Sequence, residues 1–166
     1  VDHILCTHSH PDHSPGAVPL QDRTGALVHG LPAPDDGHQD ETYSPDRSLA
    51  DGQTITDGVT QLRVLHTPGH ASNHVCLLLE ASGLLFTGDH LMSGSTVVIL
   101  PPDGSMRLYI ESLRRLRERP ITELAPGHGS LMPGAIAEID RVITHRLQRE
   151  SKVVAALERR RAASLD

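Results

Sequence analysis

Thr7-His8-Ser9-His10-Pro11-Asp12-His13 sets the reading of everything around it. Three imidazoles and a carboxylate sit within one tight turn, directly after Ile4-Leu5-Cys6, an apolar run that reads as the end of a buried strand. In an extended chain residues two apart point to the same side, so His8 and His10 can hold one ion between them. Asp12 and His13 follow Pro11, where the chain must turn, and face the same region from another direction. The pattern is metal-ligand chemistry, with two ions side by side as its natural form. Without a metal, these polar groups would be partly desolvated at a strand mouth with no obvious partners, which is costly.

Outward from this turn, Val1 to Thr7 reads as the strand that delivers it. Ser14-Pro15-Gly16 opens a brief helix, with Ser14 as its cap and Pro15 at the first helical position. Ala26 to His29 is the next strand, and the Pro-, Asp- and Gly-rich stretch from Leu31 to Arg47 reads as a long exposed loop, mobile or functional. Gln53 to Thr56 and Thr60 to His66 form a hairpin around Asp57-Gly58, a pair suited to a two-residue connection. Thr67-Pro68-Gly69-His70 is a tight turn carrying another histidine, followed by an apolar strand from His74 to Glu80. The strand Leu84-Leu85-Phe86 ends in Thr87-Gly88-Asp89-His90, and Ile121 to Ala125 ends in Pro126-Gly127-His128-Gly129. Strand, turn, ligand-type residue is thus a recurring unit. Met106 to Arg119 carries apolar residues at 106, 109, 110, 113 and 116, a helical stripe that Pro120 stops. A last helix runs from about Gly134 to Arg161, with Ile136, Ile139, Val142, Ile143 and Leu147 on one face and a solvated Arg159-Arg160-Arg161 end.

Composition narrows the setting. The 166 residues suit a single domain over 1–166, and with 2% aromatics and no Trp its core must be aliphatic. A net charge of -6 argues against a generally basic nucleic-acid binder. Cys6 and Cys76 fall inside strands and are too few for a disulfide framework, which suggests reduced thiols and a cytoplasmic protein. Aliphatic runs such as Val75 to Leu79 are far too short for a membrane span, so no membrane partner is expected. The chain opens on Val1 and enters a strand at once, which suggests the later part of a longer domain.

Taken in order and spacing, the strings from Thr7 to His13, Thr67-Pro68-Gly69-His70, Phe86-Thr87-Gly88-Asp89 and Pro126-Gly127-His128-Gly129 resemble the metallo-β-lactamase superfamily of metal-dependent hydrolases. Gly94-Ser95-Thr96-Val97-Val98, Pro101-Pro102-Asp103-Gly104 and Thr144-His145-Arg146 resemble, more narrowly, the group around β-lactamase-like protein 2 and its bacterial relatives. The resemblance implies an α/β fold, an αββα sandwich with metals at one edge. It also implies that several leading strands are absent from this chain, to be supplied by a preceding segment or by another copy in a homo-oligomer. Residue by residue, it implies that His8, His10 and His70 hold one metal, that Asp12, His13 and His128 hold a second, and that Asp89 bridges them. Zinc, as two ions per chain, is the leading expectation, with Fe or Mn as alternatives, because neutral imidazole suits all of them.

The implied reaction is attack by a metal-bridging hydroxide on an ester, thioester or phosphodiester, with Asp12 counted among the catalytic groups as well as the ligands. The superfamily's true β-lactamases commonly carry Cys or Ser where Asp89 stands, so Asp89 points towards glyoxalase II-like thioesterases or nuclease branches. A small molecule or RNA is the expected substrate. The alternatives are a single-strand endoribonuclease, a persulfide dioxygenase-like oxidoreductase holding one iron by His8, His70 and Asp89, and a metal-stabilised interaction module. Ser95 and Thr96 are candidate substrate contacts, whereas Arg146 and Arg149 read as helix-face charges. His3, His29, His38, His66, His74, His90 and His145 read as loop or core histidines; His90, next to Asp89, is the one best placed to orient a ligand.

Overall fold

The computed structural model describes residues 1–163. Strand β1 (His3–Leu5), helix α1 (Ala17–Thr24) and strand β2 (Leu27–Gly30) form a crossover unit, and β3 (Arg47–Ser48) joins them in a parallel sheet of order β1-β2-β3. The second sheet has the order β4-β5-β6-β7-β8-β9, built from Thr54–Thr56, Gln61–His66, Val75–Leu79, Leu84–Gly88, Glu123–Pro126 and Met132–Pro133. Its neighbours are antiparallel except β7 and β8, which run parallel because α2 (Met106–Arg117) carries the chain back between them. Helix α3 (Ala135–Ala163) closes the chain against α2.

Side-chain alternation along the strands creates apolar layers on both faces of each sheet. Ile4, Cys6 and Val28 meet Ala17 of α1, with Ala26 and Tyr43 beside them. Between the sheets, Val64, Val75 and Leu77 pack with Leu49 and Ile55, and Leu5 and Leu31 lean on them. The intervening residues Leu65, Cys76, Leu78, Leu85 and Leu124 face the other way, onto Tyr109, Leu113 and Leu116 of α2 and Ile139 and Val142 of α3. Helix, sheet, sheet, helix is therefore the layer order, the αββα sandwich expected from the sequence. Each fully buried leucine in that last layer contributes about 1.5–3 kcal/mol relative to exposure.

Local details differ from the sequence expectation. Helix α1 starts at Ala17 behind Gly16, without a side-chain cap, and Ser14 donates instead to Asp40 Oδ2 at 2.7 Å. The reason is the turn before it: the His13 and Ser14 N–H groups both bond the His10 carbonyl, and this winding places Ser14 over the buried Asp40. In the β4–β5 hairpin Thr56 pairs with Gln61, so the connection is Asp57 to Thr60, longer than the two residues expected. Asp57 Oδ1 accepts the N–H of Val59 at 2.9 Å and of Thr60 at 2.6 Å, an Asx-type turn that stabilises the longer loop. The segment from Leu31 to Arg47 is not simply an exposed loop, because Asp40 and Tyr43 are buried in it and its end becomes β3. Among the described residues no helix is long and apolar enough to cross a membrane.

Candidate metal centre

Strand ends deliver the polar side chains to one place. β1 runs into His8, which is 1% exposed, and the turn closed by the His13 N–H to His10 carbonyl bond of 2.9 Å brings His10, Asp12 and His13 around it. Gly69 lets the β5–β6 turn carry His70 inward; at φ +152° its Cα lies so near α2 that an added Cβ would be 2.4 Å from the Tyr109 Cα. Because β7 and β8 are parallel, their C-terminal ends lie side by side and present Asp89 and His128 together, joined by the Gly127 N–H to Gly88 carbonyl bond of 2.8 Å.

All seven expected ligand residues therefore converge. In each of the groups His8/His10/His70, His8/His13/Asp89 and Asp12/His13/His128, the ligand atoms lie within 4.8 Å of one another. His70 Nε2 is 3.0 Å from His10 Nδ1, and His128 Nε2 is 3.3 Å from His13 Nε2. Asp89 stands between the two halves, with Oδ1 3.2 Å from His13 Nε2 and Oδ2 3.8 Å from His70 Nε2. Asp12 Oδ2 lies 3.2 Å from His128 Nε2 at the exposed rim.

The electrostatics suit a cation. Burial, reinforced by His13, His10 and His70, pushes the His8 pKa down to about 2, so this imidazole keeps its lone pairs. Burial and His70 lower His10 as well. Burial opposes the charge of Asp89, but the imidazoles of His13, His8 and His70 outweigh it and hold the group below its ordinary value, as a carboxylate. Burial also works against a charged His13, yet the Asp89 and Asp12 carboxylates raise its pKa. Hydrogen bonds orient the rings: His70 Nδ1–H donates to the Val98 carbonyl at 2.6 Å, leaving Nε2 for the cluster. His8 Nε2 and Asp89 Oδ1 are buried without an aligned hydrogen-bond partner, an arrangement that a coordinated cation would satisfy. The cradle also excludes side-chain bulk, since a Cβ on Gly127 would lie 2.9 Å from His13 Cε1 and 3.0 Å from Asp89 Oδ1.

His74 supports the cluster from behind, a role its sequence context does not distinguish from that of a core histidine. His74, fully buried, accepts the Asp89 N–H through Nε2 at 3.2 Å, so its Nδ1 carries the proton and donates to Thr67 Oγ1 at 2.9 Å. The signal was an imidazole at the head of an otherwise apolar strand. His90, favoured for that role, is buried against Tyr109 and His74 with neither ring nitrogen hydrogen-bonded. Ser95 and Thr96 are exposed and line a shallow depression with Gly94 and Arg141. Arg146 is more than a helix-face charge: it donates to the Val97 carbonyl and its guanidinium lies 5.5 Å from the Tyr109 ring centre. The cavity that opens on His10 and His70, about 210 Å³, is bounded instead by Asp36, His38, Val98, Leu100, Pro101, Pro102 and Asp103.

An αββα sandwich whose strand ends gather five histidines and two aspartates is the architecture of a metal-centred protein. The family model of the metallo-β-lactamase superfamily matches residues 1–128, and the chain belongs to that superfamily. Among curated proteins it is similar to a thioesterase, pkgB, of Emericella nidulans, 35% identical over 95% of this chain and 43% of that protein. It is also similar to an atrochrysone carboxyl ACP thioesterase, AgnL7, of Paecilomyces divaricatus, 30% identical over 96% of this chain and 48% of the relative. The chain thus spans about half the length of these relatives. Among solved structures, a metallo-β-lactamase family protein of Thermus thermophilus superposes with a TM-score of 0.79 at 25% identity, over 95% of this chain and 64% of that one.

Proposed function

We propose that this chain supplies the metal centre of a dinuclear metal-dependent thioesterase. The observation that carries the proposal is the convergence of His8, His10, His70, Asp12, His13, His128 and Asp89, with the buried His8 Nε2 left without a hydrogen bond among them. The thioesterases among its relatives support the reaction class. His8, His10 and His70 would hold one ion, Asp12, His13 and His128 the other, and Asp89 would reach both. Zinc fits this mixed imidazole and carboxylate set, with iron or manganese as alternatives. Divalent ions bound there would lower the pKa of a water and polarise the acyl carbonyl.

The chain's own residues do the rest. His70 is held in its tautomer by Val98, so its Nε2 stays available throughout. The buried Asp89 stays ionised and balances positive charge at the centre. Asp12, with its side chain 61% exposed at the rim of the cluster, would accept the proton released from the attacking water. The turn on which it stands is closed by backbone bonds, so the carboxylate is presented without reorganisation.

The test is thiol release from a panel of acyl thioesters by purified protein loaded with zinc, iron or manganese, alongside metal analysis. Two metals per chain with turnover that is lost on chelation and restored by metal is the expected result. A fully metallated protein that releases no thiol, or one that binds a single ion and consumes oxygen, overturns the reading.

A further inference from the structure

Beside the metal ligands stand apolar side chains that no core layer uses. Val98 and Leu100 are 57% and 69% exposed, and Pro101 and Pro102 continue the same surface in the connection between β7 and α2. They form one wall of the cavity that opens on His10 and His70. That wall is fixed from several directions. The Val98 carbonyl accepts from His70, the Val97 carbonyl from Arg146, and the Leu100 carbonyl from the Gly104 N–H at 2.7 Å. Asp103 Oδ2 takes the Ser72 N–H at 2.7 Å and ties the far end of the segment to the turn bearing His70. An exposed apolar surface held rigidly beside reactive groups marks a ligand wall.

The remaining boundary is polar and carries carboxylates. Asp36 and His38 face the apolar wall, and Asp103 lies at its end. Asp36 is fixed by accepting the His38 N–H at 2.9 Å and the Gln39 amide at 3.1 Å and 3.0 Å, while Ser9, inside the ligand turn, donates to Gln39 Oε1 at 2.5 Å. Two carboxylates so placed repel carboxylate or phosphate groups and accept hydrogen bonds from hydroxyls. The cavity of about 210 Å³ exceeds the ~150 Å³ of an apolar cavity able to bind benzene, so it has room for a single substituted ring.

We infer that this cavity is the acyl pocket of the enzyme and that it selects uncharged, ring-sized apolar acyl groups, hydroxylated ones included, over acyl groups bearing a carboxylate. The inference rests on the thioesterase reading and narrows it. It also sets the site against RNA, whose phosphates would meet Asp36 and Asp103. Small acyl groups such as acetyl leave the apolar wall exposed and gain nothing from it. A benzoyl group covers Val98 and Leu100 while its carbonyl stays at the ligands. A 4-carboxybenzoyl group of the same size brings its charge against the carboxylates.

The experiment compares acetyl, benzoyl and 4-carboxybenzoyl thioesters of one thiol on metal-loaded protein, and follows methyl NMR shifts of Val98 and Leu100 when benzamide is added to metal-free protein. Benzoyl is expected to exceed 4-carboxybenzoyl in kcat/KM at least about tenfold, within the range that one pocket contact supplies. Leu100→Asp, and separately Val98→Asp, should lower the benzoyl-to-acetyl ratio about tenfold, and Asp36→Asn should narrow the gap between benzoyl and 4-carboxybenzoyl. Both wall residues are exposed, so the fold tolerates the changes, which thermal melting checks. Thioester turnover with ratios unmoved by these variants overturns the pocket and leaves the thioesterase reading standing. Benzamide shifts confined to Val98 and Leu100, with no thioester cleaved, support the pocket and overturn the thioesterase reading.

Discussion

His74 Nε2 accepts the backbone N–H of Asp89 at 3.2 Å, and this bond ties the head of β6 to the carboxylate between the two halves of the candidate metal centre. Burial lowers the His74 pKa well below its ordinary value, so the ring is neutral and its single proton is committed to Thr67. The bond fixes the backbone from which Asp89 projects. His74 thereby sets the orientation of Asp89 without itself belonging to any of the candidate ligand groups.

His74→Leu should therefore weaken metal binding about 10–100-fold, the usual cost of losing a group that orients a ligand. Leaving the buried Asp89 N–H without an acceptor also costs about 1–3 kcal/mol of stability. His74→Gln places an amide oxygen near the Nε2 position and should recover most of the affinity. Chelator competition on folded protein measures the first effect and thermal melting the second. Equal metal affinity in the parent and His74→Leu would remove His74 from the centre.

Gly127→Ala tests the shape of the cradle separately from its ligands. Gly127 carries no left-handed backbone strain, so the cost falls on the neighbours its methyl would meet, His13 Cε1 at 2.9 Å and Asp89 Oδ1 at 3.0 Å. Metal affinity should fall at least about tenfold, the scale of a disturbed ligand shell. The metal-free melting temperature should fall less, because the two nearest neighbours are side chains that can turn away and the backbone carbon of Gly88, at 3.3 Å, needs to give only a few tenths of an ångström. A large loss of metal-free stability with unchanged affinity would place the contact in the fold instead.

Asp40 anchors the segment from Leu31 to Arg47 beneath the ligand turn. It accepts from the Ser14 hydroxyl at 2.7 Å, the Thr42 N–H at 2.9 Å and the Thr42 hydroxyl at 2.7 Å, while its own N–H donates to the Ser9 carbonyl at 2.8 Å. Burial raises its pKa, but the bonds from Thr42 and Ser14 outweigh burial and leave it below the ordinary 3.8. The carboxylate's stabilisation is thus full above the unfolded value and is lost as pH falls through the lower, folded one. Asp40→Ala should cost about 1–3 kcal/mol at neutral pH. The gap from the parent should shrink below pH 3.8, as urea titrations across pH will show.

What the sequence revealed and concealed follows from range. His8, His10, Asp12 and His13 share one turn and stand out by local pattern, whereas His70, Asp89 and His128, each beside a glycine past a strand end, are marked by the joint order and spacing that carry the family resemblance. The αββα layers came with the family resemblance, whereas Val75 to Leu79 is apolar at every position and only the fold shows which of its side chains face which layer. His74 and Asp40 were not distinguished, since their partners lie 15 and 26 residues away and only the tertiary fold supplies them. Ser14 shows the same competition from the other side. Its sequence context is that of a helix cap, and the buried carboxylate of Asp40 wins it. Val98 and Leu100 belong to a short aliphatic run that sequence alone does not set apart from the core, and only their exposure beside His70 gives them a role.

Asp12 and Asp89 offer the sharpest division between the two halves of the centre. Asp89 is buried and touches His13 and His128 with one oxygen and His70 with the other. Asp12 is exposed and lies against His128 and His13. Asp89→Asn removes the charge shared by both ions, so both should be lost at metal concentrations that saturate the parent. Asp12→Asn weakens only the His13/His128 half, so the protein should retain one ion per chain on His8, His10 and His70. Elemental analysis after dialysis counts the ions directly. Turnover should fall in both variants, but in Asp12→Asn it should fall while one ion remains, because the rim loses its proton acceptor as well as a ligand. Loss of both ions from Asp12→Asn would mean that the two halves bind as a unit, and retention of both by Asp89→Asn would refute its bridging place.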